Sequence, residues 1–421
     1  MGRRAAGGDR LLRHPHGRRD PRVFRAGVRG QGDGARTPEA AQGRGAGEIA
    51  NEEVGVDARA RDAVLITGGS GFIGRFLTAE LIRRGRRLIL LCRPSSMARL
   101  QARLDAGPGG PLRPEIVAGD ITLPDLGLAR DDAARLRDAV GEVLHLAASY
   151  RLSMKEDEAR AVNVDGTHRV LEFAAGLPGL RAFHHVSSIA VSGDFEGDFG
   201  EDDLDRGQGF FHAYGKSKFE SEKAVRGSGL PWRVFRPGVV VGHSRTGEAD
   251  KVDGAYYLFR VLHRLARLPL MARLPMLGMR EDDVFFPLVP VDFLASAMAE
   301  LMTAPARSAF HLVDPYPLSY REFYERSLRA FGFSGPVLHR PVRRLARLLM
   351  LPPIRPAAAA AAGRLGLPLE MVGHVLYRVR YDDARAREAL AGSGISCPPF
   401  PSYLPRLVEY FRSAPETLAG R

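Results

Sequence analysis

The chain has 421 residues, of which 45% are hydrophobic, and carries a formal net charge of +12. This is enough apolar material for one large or two ordinary domains. The two cysteines, Cys92 and Cys397, exclude a disulfide framework and show no metal-ligand spacing, and no apolar run reaches the ~18 residues of a membrane helix. We therefore expect a metal-free protein of the reducing cytoplasm.

Residues 1–60 differ in composition from the rest of the chain. They are rich in Gly, Arg and Ala and have almost no large apolar residues after Phe24. This composition predicts a disordered extension, or a start codon set too far upstream. An Arg-rich targeting peptide is a third interpretation, but the segment lacks a secretory apolar run and carries acids throughout.

Regular patterns begin at Ala63. The apolar run Ala63–Thr67 predicts a strand, the spacing in Phe72–Arg83 predicts a helix, and Leu88–Cys92 predicts a second buried strand. Further strands are predicted to end near residues 117, 146, 186 and 235. Strands that alternate with helices indicate an α/β fold, a Rossmann-type doubly wound parallel sheet.

The first strand leads into the glycine pattern T-G-x-x-G-x-x-G, which opens the first helix. Gly68 permits a tight turn, Gly71 lets the backbone approach a pyrophosphate, and Gly74 lets helix and sheet pack closely. The free N–H groups of the helix N-terminus favour phosphate binding. The pattern predicts a dinucleotide site whose first candidate contacts are Thr67, Gly68, Ser70, Gly71, Phe72, Ile73 and Gly74.

The end of the second strand bears on the choice between NAD and NADP. A site for NAD usually has an acid there, whereas this chain has Arg93, which could pair with a 2′-phosphate. NADPH is therefore the expected cofactor and NADH the less favoured one. Further cofactor contacts are expected from the ends of later strands, at Asp120, Ile121, His145, Ala147, Pro237 and Val239.

A candidate catalytic group follows later in the chain. Tyr214 and Lys218 form a Y-x-x-x-K pair that lies on one helix face, where the lysine can lower the tyrosine pKa and also bind the nicotinamide ribose. Ser188, at a strand end 26 residues earlier, could stabilise a developing oxyanion. Together with the glycine loop, Ser188, Tyr214 and Lys218 predict proton transfer to a carbonyl oxygen. Asn163 is predicted at a helix start, either as a cap or as a partner near the lysine.

The pattern changes after about residue 245. We expect residues 61–245 to form the NADP-binding domain and residues 246–421 a smaller, mainly helical substrate-binding region, with 285–315 returning to the Rossmann sheet. Two acid-free stretches, Gly254–Arg280 and Arg326–Leu369, interleave Arg with Leu, Met and Pro. They would suit a phosphorylated acyl carrier, an anionic membrane surface, or simply a solvated basic cap.

Over residues 62–315 these motifs resemble the extended short-chain dehydrogenase/reductase superfamily. The segments Ser187–Ala190, Tyr214–Lys218 and Arg236–Gly254 are more specifically similar to fatty acyl-CoA reductases. The greatest similarity is to the N-terminal, male-sterility-like thioester reductase domain of bacterial alcohol-forming enzymes. Those enzymes carry a second dehydrogenase domain, whereas this chain ends at Arg421, which leaves open whether one reduction step or both take place here.

The resemblance implies an NADPH-dependent reductase with Ser188, Tyr214 and Lys218 as its catalytic set. Its expected substrate is a fatty acyl-CoA, an acyl carrier protein thioester or a fatty aldehyde, and its product an aldehyde or an alcohol. Peripheral membrane contact is compatible with it, nucleic acid is not an expected partner, and the oligomeric state stays open. The alternatives are a nucleotide-sugar epimerase or dehydratase, a hydroxysteroid-type dehydrogenase, and a non-catalytic NADPH-binding regulator.

Overall fold

The computed structural model describes residues 61–107, 112–150, 154–250, 254–268, 270–364, 369 and 378–413. The extension predicted for residues 1–60 lies outside this part of the chain and stays a prediction.

The strands in chain order are β1 (Ala63–Thr67), β2 (Leu88–Cys92), β3 (Glu115–Ala118), β4 (Val140–His145), β5 (Ala182–Val186), β6 (Gly197–Phe199), β7 (Trp232–Pro237), β8 (Val239–Val241), β9 (Met276–Met279), β10 (Phe285–Phe286), β11 (Leu288–Pro290), β12 (Ser308–Leu312), β13 (Leu318–Ser319), β14 (Val337–Arg340) and β15 (Val379–Tyr381). The bounds of β1 and β2 are those that the sequence predicts.

The helices in chain order are α1 (Phe72–Arg83), α2 (Pro94–Ala106), α3 (Arg130–Ala139), α4 (Glu156–Ala159), α5 (Gly166–Ala175), α6 (Ala213–Gly227), α7 (Ala255–Ala266), α8 (Val291–Leu301), α9 (Tyr320–Ala330), α10 (Arg343–Leu349), α11 (Arg355–Arg364), α12 (Ala384–Ala389) and α13 (Phe400–Ser413). A π turn, Arg160–Asp165, joins α4 to α5. Among the described residues no helix combines the length and apolar character needed to cross a membrane.

Seven parallel strands form the main sheet, in the order β12-β7-β5-β4-β1-β2-β3. Every residue of β1, β2 and β5 is buried, as expected for strands covered by helices on both faces. The predicted Rossmann-type doubly wound sheet is confirmed. Because β1 lies between β2 and β4, the strand order reverses there, and ligands of such sheets bind at the carboxyl ends of these strands.

Among the described residues four two-stranded pairs lie outside the main sheet: β10-β13, β11-β8, β14-β9 and β15-β6. In the predicted returning segment, β12 pairs with β7 and β11 pairs with β8. A second return of the chain to the Rossmann part was not predicted. In it, β15 pairs with β6, and α12 packs against β12. We therefore propose the division near residue 245 with residues 379–389 added to the Rossmann part.

Glu201 fastens this second return. Its carboxylate accepts backbone N–H bonds from His311 at 3.0 Å, from Arg385 at 2.7 Å and from Ala386 at 3.1 Å. The last two donors belong to the first turn of α12, where a carboxylate is favoured by the helix dipole. Burial nevertheless raises the pKa of Glu201 to about 7. One side chain thus joins β12 and α12 to the loop after β6.

A buried ion pair joins α6 to the sheet. Glu222 on α6 and Arg236 on β7 are both fully inaccessible, and their closest atoms, Oε1 and Nη2, lie 2.7 Å apart. Burial alone would raise the pKa of Glu222, but the Arg236 charge holds it below its ordinary value. The Arg236 side chain also donates to His311 Nε2 at 3.1 Å, so His311 Nδ1–H is left to donate to the Asp382 carbonyl oxygen at 2.6 Å.

Replacing Arg236 by methionine is expected to lower the free energy of unfolding by about 3–5 kcal/mol, because Glu222 would remain buried without its cation. Urea denaturation measures this change. The matched control is Arg380→Met, since Arg380 forms an exposed pair with Asp198 and should leave stability nearly unchanged. Equal stability losses in the two variants would contradict the role given to the buried pair.

Candidate active site

The glycine loop brings two backbone segments together at the switch point. Gly68 has a φ of +78°, and a Cβ there would lie only 2.6 Å from the Ala147 nitrogen. A Cβ on Gly74 would overlap the Gly68 carbonyl oxygen. Both positions therefore need glycine, for the turn and for close packing of α1 respectively. The first turn of α1, after its N-cap Gly71, opens beside this loop.

A row of hydrogen bonds lies directly beneath the loop. Thr67 Oγ1 accepts from the Ala147 N–H at 3.3 Å and contacts His145 Nδ1 at 2.7 Å, while His145 Nε2 contacts Thr167 Oγ1 at 3.0 Å. Burial, followed by the nearby Lys218 charge, lowers the pKa of His145 to about 3, so its ring is neutral. Because Thr167 Oγ1 donates to the Asn163 carbonyl oxygen at 2.6 Å, the His145 proton is on Nε2.

Asn163 lies inside the π turn and not at a helix start, so the predicted helix cap is wrong. Its Oδ1 accepts from the Ser149 N–H at 2.7 Å, and its Nδ2 donates to the Ser149 carbonyl at 3.0 Å and to Ser217 Oγ at 2.9 Å. π turns often mark functional sites, since the extra residue redirects a side chain. Here the redirected side chain is that of Asn163, which connects the loop after β4 to the helix that carries Tyr214 and Lys218.

Helix α6 carries Tyr214 and Lys218 one turn apart. His212 is its N-cap and accepts the Gly215 N–H at Nδ1, 2.9 Å away. The Lys218 ammonium is buried and donates to the Val186 carbonyl oxygen at 2.8 Å. Burial lowers the pKa of Lys218 to about 8, against the opposing effect of the Glu222 charge. The ammonium therefore stays charged at neutral pH.

The carboxyl end of β5 supplies two serines with different partners. Ser187 is buried and donates to Glu222 Oε2 at 2.6 Å, which links it to the Arg236 pair. Ser188 caps the short 3₁₀ turn Ile189–Ser192 by accepting the Ala190 N–H at 3.2 Å. Capping uses one lone pair of the Ser188 hydroxyl and leaves its proton able to donate.

One pocket unites these elements, and its empty space, including the open mouth, measures about 2180 Å³. It reaches from the glycine loop to an aromatic wall built by β10, β15 and the helices α6, α7 and α9. Predicted site residues that line it are Gly68, Gly71, Phe72, Ile73, Gly74, Ser188, Tyr214, Lys218, Pro237 and Val239. The structure thus brings the predicted serine, tyrosine and lysine together with the glycine loop.

The remaining predicted cofactor residues do not line this pocket. Thr67, His145 and Ala147 form the layer beneath the loop, as described above. Ser70 uses its carbonyl oxygen to accept from Arg103 Nη1 at 3.0 Å. Arg93, exposed, and Asp120, half-buried, follow the carboxyl ends of β2 and β3, with the buried Ile121 beside Asp120. Asp120 Oδ1 accepts the N–H and the hydroxyl of Thr122, each at 2.8 Å.

Several residues of the site were not predicted. Arg103 on α2 contacts the glycine loop. The sequence signal that could have indicated this residue is its spacing of four from Arg99, which places both arginines on one helix face. The wall of the pocket away from the glycine loop is aromatic, with Phe210, Phe211, Tyr256, Phe286, Tyr320 and Tyr381 in the lining. Arg236, expected in a loop against the nicotinamide, instead lies fully buried in β7, because Glu222 neutralises it.

The chain is similar to several known proteins. The chain is 31% identical over 294 residues to glycine betaine reductase ATRR of Emericella nidulans, which covers 64% of this chain and 22% of that protein. It is 27% identical over 235 residues to the fatty acyl-CoA reductase wat of Drosophila melanogaster, 46% of either chain. The chain thus spans between about a fifth and a half of these relatives.

The terminal R domain of the myxalamid PKS-NRPS biosynthetic pathway is similar in structure, with a TM-score of 0.68 and 29% identity over 84% of this chain and 91% of that one. The family model described as male sterility protein matches residues 66–298. Since this match covers more than half of the chain, the chain belongs to the male sterility protein family of NAD(P)-binding reductases, which has the extended short-chain dehydrogenase/reductase fold.

Proposed function

We propose that this protein reduces an acyl thioester with NADPH. The observation that carries the proposal is that Ser188, Tyr214 and Lys218 line the same pocket as the glycine loop. A hydride donor held by that loop would face a hydroxyl pair able to stabilise and protonate a carbonyl oxygen. A fatty aldehyde is the second substrate to be tested, since reduction of the thioester would produce an aldehyde.

In this reaction each group of the pocket would have its own role. NADPH, when bound, supplies the hydride. The glycine loop and the first turn of α1 bind its pyrophosphate. Ser188 donates a hydrogen bond to the substrate carbonyl oxygen, and Tyr214 gives that oxygen a proton as the hydride reaches the carbon. The buried Lys218 ammonium stabilises the tyrosinate left behind. The resulting hemithioacetal then breaks its C–S bond: its hydroxyl proton returns to the Tyr214 phenolate, the thiolate takes a proton from solvent and leaves as the thiol, and the aldehyde remains.

The aromatic wall supports an apolar acyl chain. Phe286 stacks on Tyr320 with ring centroids 4.5 Å apart and meets Phe323 edge to face at 4.8 Å, so this side of the pocket is backed by packed aromatic rings. Two relatives are named as reductases, one of them of fatty acyl-CoA. A carrier-bound thioester fits the same reasoning, because a solved R domain from a PKS-NRPS pathway has this fold.

Two arginines support NADPH over NADH. Arg93 follows β2, where an acid would bind the 2′-hydroxyl of NAD, and it is exposed. Arg103 contacts the loop at the Ser70 carbonyl. Both guanidiniums belong to the segment that follows β2, where a 2′-phosphate would lie. A charge-assisted fork between Arg93 and that phosphate would provide the preference.

The first experiment follows NADPH oxidation at about 340 nm by the purified chain, with palmitoyl-CoA and separately with a long-chain aldehyde. We expect oxidation with the thioester, and product analysis then separates aldehyde from alcohol. Oxidation with the aldehyde alone would make this a second-step enzyme. No oxidation with either compound would refute the proposed activity and favour a sugar or steroid substrate.

Replacing Tyr214 by phenylalanine should lower the turnover number by ~10²–10⁴-fold, because only the proton donor is lost. Affinity for NADPH, measured by fluorescence titration, should stay near the wild-type value. The matched control is Tyr316→Phe, since Tyr316 is 82% exposed and outside the pocket lining. Near-normal turnover in Tyr214→Phe would show that another group donates the proton.

Replacing Arg93 by alanine should raise KM for NADPH roughly 10- to 100-fold, the loss expected for hydrogen bonds to a charged group. KM for NADH should change little, because NADH has no 2′-phosphate. Arg87→Ala is the control, as Arg87 is exposed at the opposite end of β2. A parallel rise in KM for both cofactors would argue against contact with the phosphate.

A further inference from the structure

Exposed leucines concentrate on one part of the molecule. Among the described residues ten leucines are exposed, and eight of them lie between residues 268 and 351. Large exposed apolar patches mark interaction sites in soluble proteins. We name the segments that carry it, residues 268, 270–280 and 338–351, the basic leucine surface.

The strands and turns of this surface are directly connected. Leu277 on β9 and Leu338 on β14 are register partners in a parallel pair, and both are exposed. The Ala272 carbonyl accepts from the Ser334 N–H at 2.8 Å, which places the turn with Leu270 and Leu274 next to the start of β14. Val342, directly before α10, donates its N–H to Glu281 Oε2 at 3.2 Å, so α10 is linked to the segment that follows β9.

Helix α10 presents its apolar residues outward. Leu345 is 54% exposed and Leu348 is 47% exposed, whereas the small Ala346 is the buried residue of the helix. Arg344 and Arg347 are exposed beside them. A helix that only covered the protein would bury its leucines and expose its arginines, so this arrangement indicates a partner for the outer face.

The charge of the surface is unpaired. Among the described residues its exposed arginines Arg273, Arg280, Arg340, Arg344 and Arg347 form no ion pair. The neighbouring acids already have partners: Glu281 accepts the Arg343 N–H at 2.9 Å, Asp283 pairs with Arg343 and Arg378, and Glu325 pairs with His339. The surface is therefore both apolar and cationic.

We propose that the basic leucine surface docks the protein on an anionic lipid bilayer. A bilayer interface offers both phosphates for the guanidiniums and hydrocarbon for the leucines, with arginine stems lying along the boundary. This inference does not depend on the proposed reaction.

The test is sedimentation of the full chain with phosphatidylcholine vesicles, with and without phosphatidylglycerol, in the absence of NADPH and substrate. We expect binding to the anionic vesicles that weakens as salt rises. The variant Leu345→Glu/Leu348→Glu should lose this binding. Its control is Leu123→Glu, because Leu123 is 50% exposed elsewhere in the fold and should not affect binding.

The contribution of charge has its own pair of variants. Arg344→Gln/Arg347→Gln should bind anionic vesicles about 30-fold more weakly, at about 1 kcal/mol for each arginine. Arg130→Gln/Arg245→Gln removes the same net charge from exposed positions elsewhere and should bind nearly as wild type. The proposal is overturned if wild type ignores anionic vesicles or if the glutamate variant binds as wild type does.

Discussion

The site depends on one close contact of two backbones, that of Gly68 against Ala147. It is possible only because β1 and β4 lie side by side where the strand order reverses and because Gly68 has no side chain. The neutral His145 below the contact bonds the hydroxyls of Thr67 and Thr167. The glycine loop, the end of β4 and helix α5 are thereby fixed as one unit, and Asn163 extends that unit to α6.

A second series of buried, hydrogen-bonded polar groups starts at the other side of the pocket. It runs from Ser187 through Glu222 and Arg236 to His311 and ends on the Asp382 carbonyl. The last link lies in the segment that also supplies Tyr381 to the pocket. The pocket wall that carries Tyr381 is thus linked to α6 through the same buried charges.

Local patterns in the sequence were enough to predict the sheet, the glycine loop and the helix that carries Tyr214 and Lys218. Each of these features depends on residues that are only a few positions apart. The second return of the chain was missed, since Glu201 binds residues 110 to 185 positions away and such contacts leave no periodicity. The burial of Arg236 was missed for the same reason: an arginine next to a proline reads as loop until its distant carboxylate is known. The π turn has no composition signal at all.

The π turn at Arg160–Asp165 also determines how α5 is rotated about its own axis. Removing one residue there, to give an ordinary α-helix, would rotate α5 by about 100° about its axis. Thr167 would leave His145, and the apolar side of α5 would turn away from the sheet. Length in this stretch is therefore under tight constraint, and related chains should carry few insertions or deletions here.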